Sequence, residues 1–92
     1  EGHPEVVILD MTRLIQLDTT GLEGLENLRD KLGKRGCTLI VCGLNSQPGS
    51  LLYRSGFIDH LGDDNICLDL TESLKRAYIL LPNLMGGFEE DY

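Results

Sequence analysis

The stretch Glu5-Val-Val-Ile-Leu-Asp10, followed a few residues later by Asp18-Thr-Thr-Gly21, decides the fold class of this chain. The first is a nearly continuous run of β-branched and aliphatic residues, which is typical of a strand covered on both faces. The second opens a helical pattern with one apolar stripe, formed by Leu22, Leu25, Leu28 and Leu32. A buried strand that leads into an amphipathic helix predicts an α/β layer fold.

The helix is predicted to begin at a capping box and to end at a glycine. Thr20 is followed three residues later by Glu23, and such a pair can satisfy two backbone N–H groups of the first turn. Gly36 supplies the stop. Cations lie near that end, where the helix dipole favours them, at Lys31, Lys34 and Arg35.

The rest of the chain continues the alternation of strands and helices. The predicted elements are a buried-type strand Cys37–Cys42, turn residues 43–49, two short helical segments ending at Gly56 and Gly62, a strand at 65–68, and a last helix capped by Asp69 or Thr71 that stops near Pro82. This order predicts parallel strands joined by right-handed crossovers. The first strand is of the central type although it lies at the chain start, so we expect the chain to be a fragment of a larger polypeptide.

Composition excludes several classes of partner. Asp and Glu number 15 against 8 Lys and Arg, which gives a net charge of −7. A nucleic acid or an anionic membrane surface would need a basic face, so neither is expected as a direct partner. No apolar run approaches the ~20 residues of a membrane-spanning helix, and no membrane insertion by this segment is predicted. Three cysteines without a C-x-x-C pair indicate small buried residues in a reducing compartment: Cys37, Cys42 and Cys67.

Catalytic and metal-binding patterns are weak. The predicted order of strands and helices does not bring either histidine, His3 or His60, near a nucleophilic cysteine or serine. The chain contains no phosphate loop of the G-x-x-x-x-G-K-[ST] kind, and its aspartates do not match the spacing of a calcium loop. We therefore predict a protein that is not an enzyme and that has no metal site.

The strongest candidate site is the strand-to-helix junction formed by Asp18, Thr19, Thr20 and Gly21. Free N–H groups and the positive dipole end make such a junction suitable for an anion, and a hydroxyl there is open to phosphorylation. The same residues are also good N-caps with no further role. A third interpretation is nucleotide binding at Thr19-Thr-Gly21, which the net charge of −7 opposes.

Four segments, taken in order, resemble the STAS domain, which occurs in bacterial anti-sigma factor antagonists and at the cytosolic end of SulP-type anion transporters. They are Val6-Val-Ile-Leu-Asp10, Leu17-Asp-Thr-Thr-Gly-Leu22, Lys34-Arg-Gly-Cys-Thr-Leu-Ile-Val41 and Leu52-Tyr-Arg-Ser-Gly-Phe57. The resemblance implies an α/β fold with a small mixed sheet and helices packed mainly on one side. It also implies that one or more strands and the first helix of the family are missing upstream. A single domain is expected over residues 1–84, with its core at about 5–80 and a flexible acidic tail at 85–92.

The connection Cys42-Gly-Leu-Asn-Ser-Gln-Pro48 and the run Asp64-Asn-Ile-Cys-Leu-Asp-Leu70 look more like the transporter branch of this family. That resemblance implies a non-catalytic regulatory and interaction domain, without a cofactor, in the cytosolic part of a sulfate or other anion transporter. Its partners would be the transporter's own membrane domain and other cytosolic proteins. The alternative is a free-standing anti-sigma factor antagonist. In such antagonists the first hydroxyl after the motif aspartate, here Thr19, accepts phosphate, which implies a kinase or a phosphatase as a partner.

Overall fold

A three-stranded parallel sheet forms the centre of the protein. The computed structural model describes residues 5–81, and its strands are β1 (Glu5–Asp10), β2 (Cys37–Cys42) and β3 (Ile66–Cys67). β2 lies between the other two, with Ile40 opposite Ile8 and Val41 opposite Ile66. The predicted α/β class and the parallel strand pairs are confirmed, and the strands in this part of the chain include no antiparallel member.

Helices connect the strands and continue after the last one. They are α1 (Thr19–Lys34), α2 (Ser46–Arg54), α3 (Phe57–Leu61) and α4 (Leu70–Leu80), with a short 3-10 turn at Asp63–Asn65. Gly36 has a φ of +77° and follows the end of α1, as its predicted role as a helix stop requires. Asp69 caps α4 by accepting a hydrogen bond from the N–H of Glu72 at 2.9 Å. Within residues 5–81, none of the helices is both long and apolar enough to span a bilayer.

The central strand separates two apolar clusters because its side chains alternate between the two faces of the sheet. Leu39 and Val41 point into a larger cluster that includes residues of the loop after β1 and of α2 and α3, with Leu22, Leu25 and Leu32 of α1 packed against it. Ile40 and Cys42 point to the opposite face, which α4 covers with Ala77. Of the four helices within residues 5–81, three therefore pack on one face, in agreement with the expected arrangement.

Two predicted elements differ from the observed ones. α2 begins at Ser46, whereas residues 43–49 were predicted to be a turn. Pro48 lies in the first turn of the helix, where a backbone N–H has no partner within the helix and proline costs little. β3 is confined to Ile66–Cys67 because residues 63–65 form the 3-10 turn.

The side chains of β1 contribute to the apolar clusters on both faces of the sheet, but the strand is only half buried. Val7 and Leu9 face the larger cluster, and Val6 and Ile8 face the cluster under α4. The expected full burial is absent because β1 pairs with β2 on one side only among the described residues. Cys42 and Cys67 are buried free thiols, and Cys37 is a half-buried one. His3 and the expected tail at 85–92 lie outside the described residues.

Candidate functional site

The site lies where β1 and β2 end, at the same edge of the sheet. The loop of residues 11–17 leaves β1 there and leads into α1, while Gly43 leaves β2 and leads into α2. The backbone N–H of Met11 donates to the carbonyl of Cys42 at 2.9 Å and so continues the strand pairing by one residue. The carboxyl ends of parallel strands are the usual location of sites in α/β folds.

Asp18 is the N-cap of α1. Its backbone is extended, and its Oδ1 accepts a hydrogen bond from the N–H of Gly21 at 2.8 Å. The predicted capping box starting at Thr20 is therefore wrong, because Thr20 already lies within the helix and aspartate caps at least as well as threonine. Thr19 is the first helical residue, and both threonines are exposed to solvent.

Gly21 permits close packing at the start of α1. A Cβ atom at this position would lie 2.6 Å from Cδ1 of Leu17 and 3.3 Å from Oδ1 of Asp18. Leu17 itself is buried in the larger cluster. The predicted residues 18–21 are thus together in one turn, and a glycine at the fourth position lets this turn lie directly on the end of the loop.

Asp10, Thr12 and Gly43 form a second tight contact beside this turn. Oδ1 of Asp10 accepts hydrogen bonds from the Thr12 hydroxyl at 2.6 Å and from the Thr12 N–H at 3.0 Å. The bond from the hydroxyl, followed by that from the N–H, lowers the pKa of the exposed Asp10 carboxyl, and the nearby charge of Arg13 also lowers it. Thr12 Oγ1 occupies the space that a Cβ atom of Gly43 would need, so only glycine fits there.

Two amide side chains at the start of α2 bind the loop, and the sequence did not single them out. Gln47 accepts a hydrogen bond from the N–H of Leu17 at 2.7 Å and donates to the carbonyl of the same residue at 3.0 Å. Asn45 donates to the carbonyls of Thr12 and Leu14 at 2.9 and 2.8 Å. These contacts join residues about 30 positions apart in sequence, so no local pattern could have predicted them.

A cavity of about 470 Å³ lies between the loop and α1. Its walls are mainly leucine side chains, and Asp10 and Arg13 are its charged residues. A smaller cavity of about 330 Å³ borders Gln16, Asp18 and Gly21. Within residues 5–81, no cluster of histidine, cysteine or carboxylate side chains is suitable for a metal ion. The chemistry that this arrangement offers is an exposed threonine hydroxyl at a helix start capped by Asp18.

Comparison with known proteins identifies relatives over most of the chain. Sulfate transporter 1.2 of Arabidopsis thaliana is 34% identical over 83 residues, which cover 86% of this chain and 12% of that protein. Low affinity sulfate transporter 3 of Stylosanthes hamata is 31% identical over 84% of this chain and 12% of its own length. The putative sulfate transporter YvdB of Bacillus subtilis is 29% identical over 67% of this chain, and again only 12% of that protein is covered. The chain thus spans about a tenth of the curated relatives that it matches.

A solved structure shares the fold. The crystal structure of a sulfate transporter family protein from Wolinella succinogenes superimposes with a TM-score of 0.79 and 31% sequence identity, over 84% of this chain and 63% of that one. The model of the STAS domain family matches residues 1–73 of the 92. The resemblance to the STAS domain that the four sequence segments indicated is confirmed, as is the likeness to its sulfate-transporter members, and the chain belongs to the STAS domain family.

Proposed function

We propose that this chain is a regulatory, protein-interacting STAS domain of a SulP-type sulfate or related anion transporter. The observation that carries the proposal is the coverage: the similarity extends over most of this chain but over only 10–12% of proteins that are named sulfate transporters. In this proposal the domain lies on the cytosolic side and contacts the membrane domain of its own transporter and other cytosolic proteins. It influences assembly, trafficking or activity and performs no catalysis.

The proposed regulatory position is Thr19. Its hydroxyl is exposed at the first residue of α1, and the carboxylate of Asp18 is engaged with the N–H of Gly21. A phosphoryl group would add about −1.5 to −2 charges, which the positive end of the helix favours and the carboxylate of Asp18 opposes. Phosphorylation at Thr19 would therefore alter the charge of this surface without disturbing the buried residues. A kinase or a phosphatase is a partner in this proposal.

The first test is to find the native polypeptide. An antibody against this domain is used on fractionated source cells, and a salt wash separates integral from peripheral proteins. A band far larger than 10.2 kDa that stays with the membranes supports the transporter proposal. A small soluble band would contradict it and favour the free-standing antagonist, for which the exposed Thr19 would be the switch.

The second test measures sulfate uptake by the full transporter with changes at Thr19. Thr19→Asp imitates the added charge and Thr19→Ala removes the hydroxyl, so we expect uptake to shift in opposite directions. Thr20→Ala is the matched control, because Thr20 is also exposed in the same turn. Equal uptake by all of these variants and the unmodified protein would show that Thr19 is not a regulatory site.

A further inference from the structure

We propose that Gln47 and Asn45, at the start of α2, are the positioning residues of the Asp18–Thr19 turn. The inference concerns the geometry of this turn, and its regulatory meaning rests on the proposed role of Thr19. It identifies two side chains, neither of them in the motif at 18–21, on which the placement of the Thr19 hydroxyl depends.

Gln47 binds the residue that directly precedes the cap. Its Oε1 accepts from the N–H of Leu17 and its Nε2 donates to the carbonyl of Leu17, at 2.7 and 3.0 Å. Leu17 is only 8% exposed, so its two backbone groups have little access to water. One side chain therefore fixes both hydrogen-bonding groups of the last residue before Asp18, which sets the point at which α1 begins.

Asn45 holds the middle of the same loop. It occupies the N-cap position of α2, but its side chain makes no capping hydrogen bond to that helix. Its Nδ2 donates instead to the carbonyls of Thr12 and Leu14. Asparagine at an N-cap normally stabilises its own helix, so here the amide group serves the loop at the expense of the cap.

Together the two amides bind three of the carbonyls between β1 and α1. Other hydrogen bonds of this loop are donated by Thr12 to the carboxylate of Asp10, by Met11 to the carbonyl of Cys42 and by Leu14 to the carbonyl of Met11. None of these reaches Leu17, whose backbone hydrogen bonds are those to Gln47. A displacement of the first turn of α2 is therefore transmitted through Leu17 to Asp18 and Thr19, and α2 and the start of α1 are expected to move as one unit.

The test is amide hydrogen exchange, followed by NMR, on the 92-residue chain and its Gln47→Met variant. Methionine has a similar length but cannot form either hydrogen bond. We expect the Leu17 amide to exchange about tenfold faster, with resonance shifts at Thr19, Thr20 and Gly21. The control is Asn65→Ala, which removes a half-buried amide bonded to Leu61 and Arg76 in another part of the protein. It should leave the signals of Leu17 and Thr19 unchanged.

A second variant covers the case in which Gln47→Met does not fold. Gln47→Glu keeps the acceptor for the N–H of Leu17 but loses the donor to its carbonyl. Exchange at Leu17 should then stay slow while the resonances of Asp18 and Thr19 shift. A folded Gln47→Glu variant whose Asp18 and Thr19 resonances match those of the unmodified chain would overturn the inference, as would a folded Gln47→Met variant with unchanged exchange at Leu17.

Sulfate uptake separates this inference from the proposed role of Thr19. If Thr19→Ala changes uptake, Gln47→Met should change it in the same direction, and the double variant should be no worse than the stronger single one. Independent, additive effects would show that Gln47 does not act through Thr19. If Thr19 variants leave uptake unchanged, the regulatory role of Thr19 fails, and the exchange measurement alone decides whether Gln47 positions the turn.

Discussion

At the scale of single residues, Gly43 shows how one position can join two loops. Its φ of +71° lies in the left-handed region, and the Thr12 hydroxyl fills the space beside its Cα. That hydroxyl is held in place by the carboxylate of Asp10. Any side chain at position 43 would meet both a strained backbone and an occupied space, so glycine is required for two independent reasons.

We predict that Gly43→Ala destabilises the domain more than Gly36→Ala does. Both glycines have a positive φ, but nothing lies within 4 Å of a Cβ atom built at Gly36. Gly36→Ala should therefore cost only the backbone strain of about 1–2 kcal/mol. Gly43→Ala should also break the bond from Thr12 to Asp10, which adds about 1 kcal/mol.

Urea denaturation of the two variants, followed by circular dichroism, gives the comparison. Thr12→Ala in the Gly43→Ala background supplies the control, because it removes the hydroxyl from the contested space and should recover part of the loss. Equal free energies of unfolding for Gly43→Ala and Gly36→Ala would contradict the contact with Thr12.

At the scale of elements, the start of α1 depends on Asp18. We predict that Asp18→Ala lowers the free energy of unfolding by about 1 kcal/mol, since the N–H of Gly21 loses its acceptor. Asp18→Asn keeps an acceptor and should retain most of the stability. Thr20→Ala should be neutral or slightly stabilising, because alanine is the better helix former and Thr20 makes no cap.

Asp69→Ala should lower the free energy of unfolding as Asp18→Ala does, because Asp69 caps α4 in the same way, by accepting a hydrogen bond from the N–H of Glu72. Thermal unfolding of the four variants measures these differences. A loss at Thr20→Ala as large as that at Asp18→Ala would show that the capping box predicted from the sequence operates after all.

The elements that were predicted correctly are those determined by residues close to them in sequence. The leucine stripe of α1, the glycine after it and the aspartate before α4 act within one or two turns, and all three appear in the structure. The start of α2 was predicted too late in the chain because Pro48 and Gly49 are typical of turns. In the structure both residues lie in the first turn of this helix. The amides of Asn45 and Gln47 could not be assigned because their partners depend on how α2 lies against the loop.

At the scale of the whole molecule, stability depends on two clusters of unequal size on either side of β2. The larger cluster connects the site with the rest of the domain, because it includes Met11 and Leu17 of the loop as well as residues of β2, α2 and α3. The loop of residues 11–17, which leads to Thr19, is thus anchored by burial at both ends and by the amides of α2 in between. A rigid site on a small domain requires such anchoring, since few residues are available to support it.

Phe57 offers the sharpest test of this arrangement. It is 0% exposed at the start of α3, and the guanidinium of Arg29 on α1 lies 5.1 Å from its ring centroid. Phe57→Ala should therefore lower the free energy of unfolding by about 3–5 kcal/mol, because it leaves a cavity and removes the contact of the ring with Arg29 of α1. A domain of this size has about 5–14 kcal/mol in total, so this loss is a large fraction of its stability.

Tyr53→Ala is the matched control, because this aromatic residue of α2 is 71% exposed and its removal should change stability by less than about 0.5 kcal/mol. Phe57→Leu should lie between the two, since it refills part of the cavity but has no ring for Arg29. Guanidinium denaturation midpoints rank the three variants. If Phe57→Ala and Tyr53→Ala had the same midpoint, the larger cluster would not be what holds α3 and α1 together, and the anchoring of the loop through that cluster would fail with it.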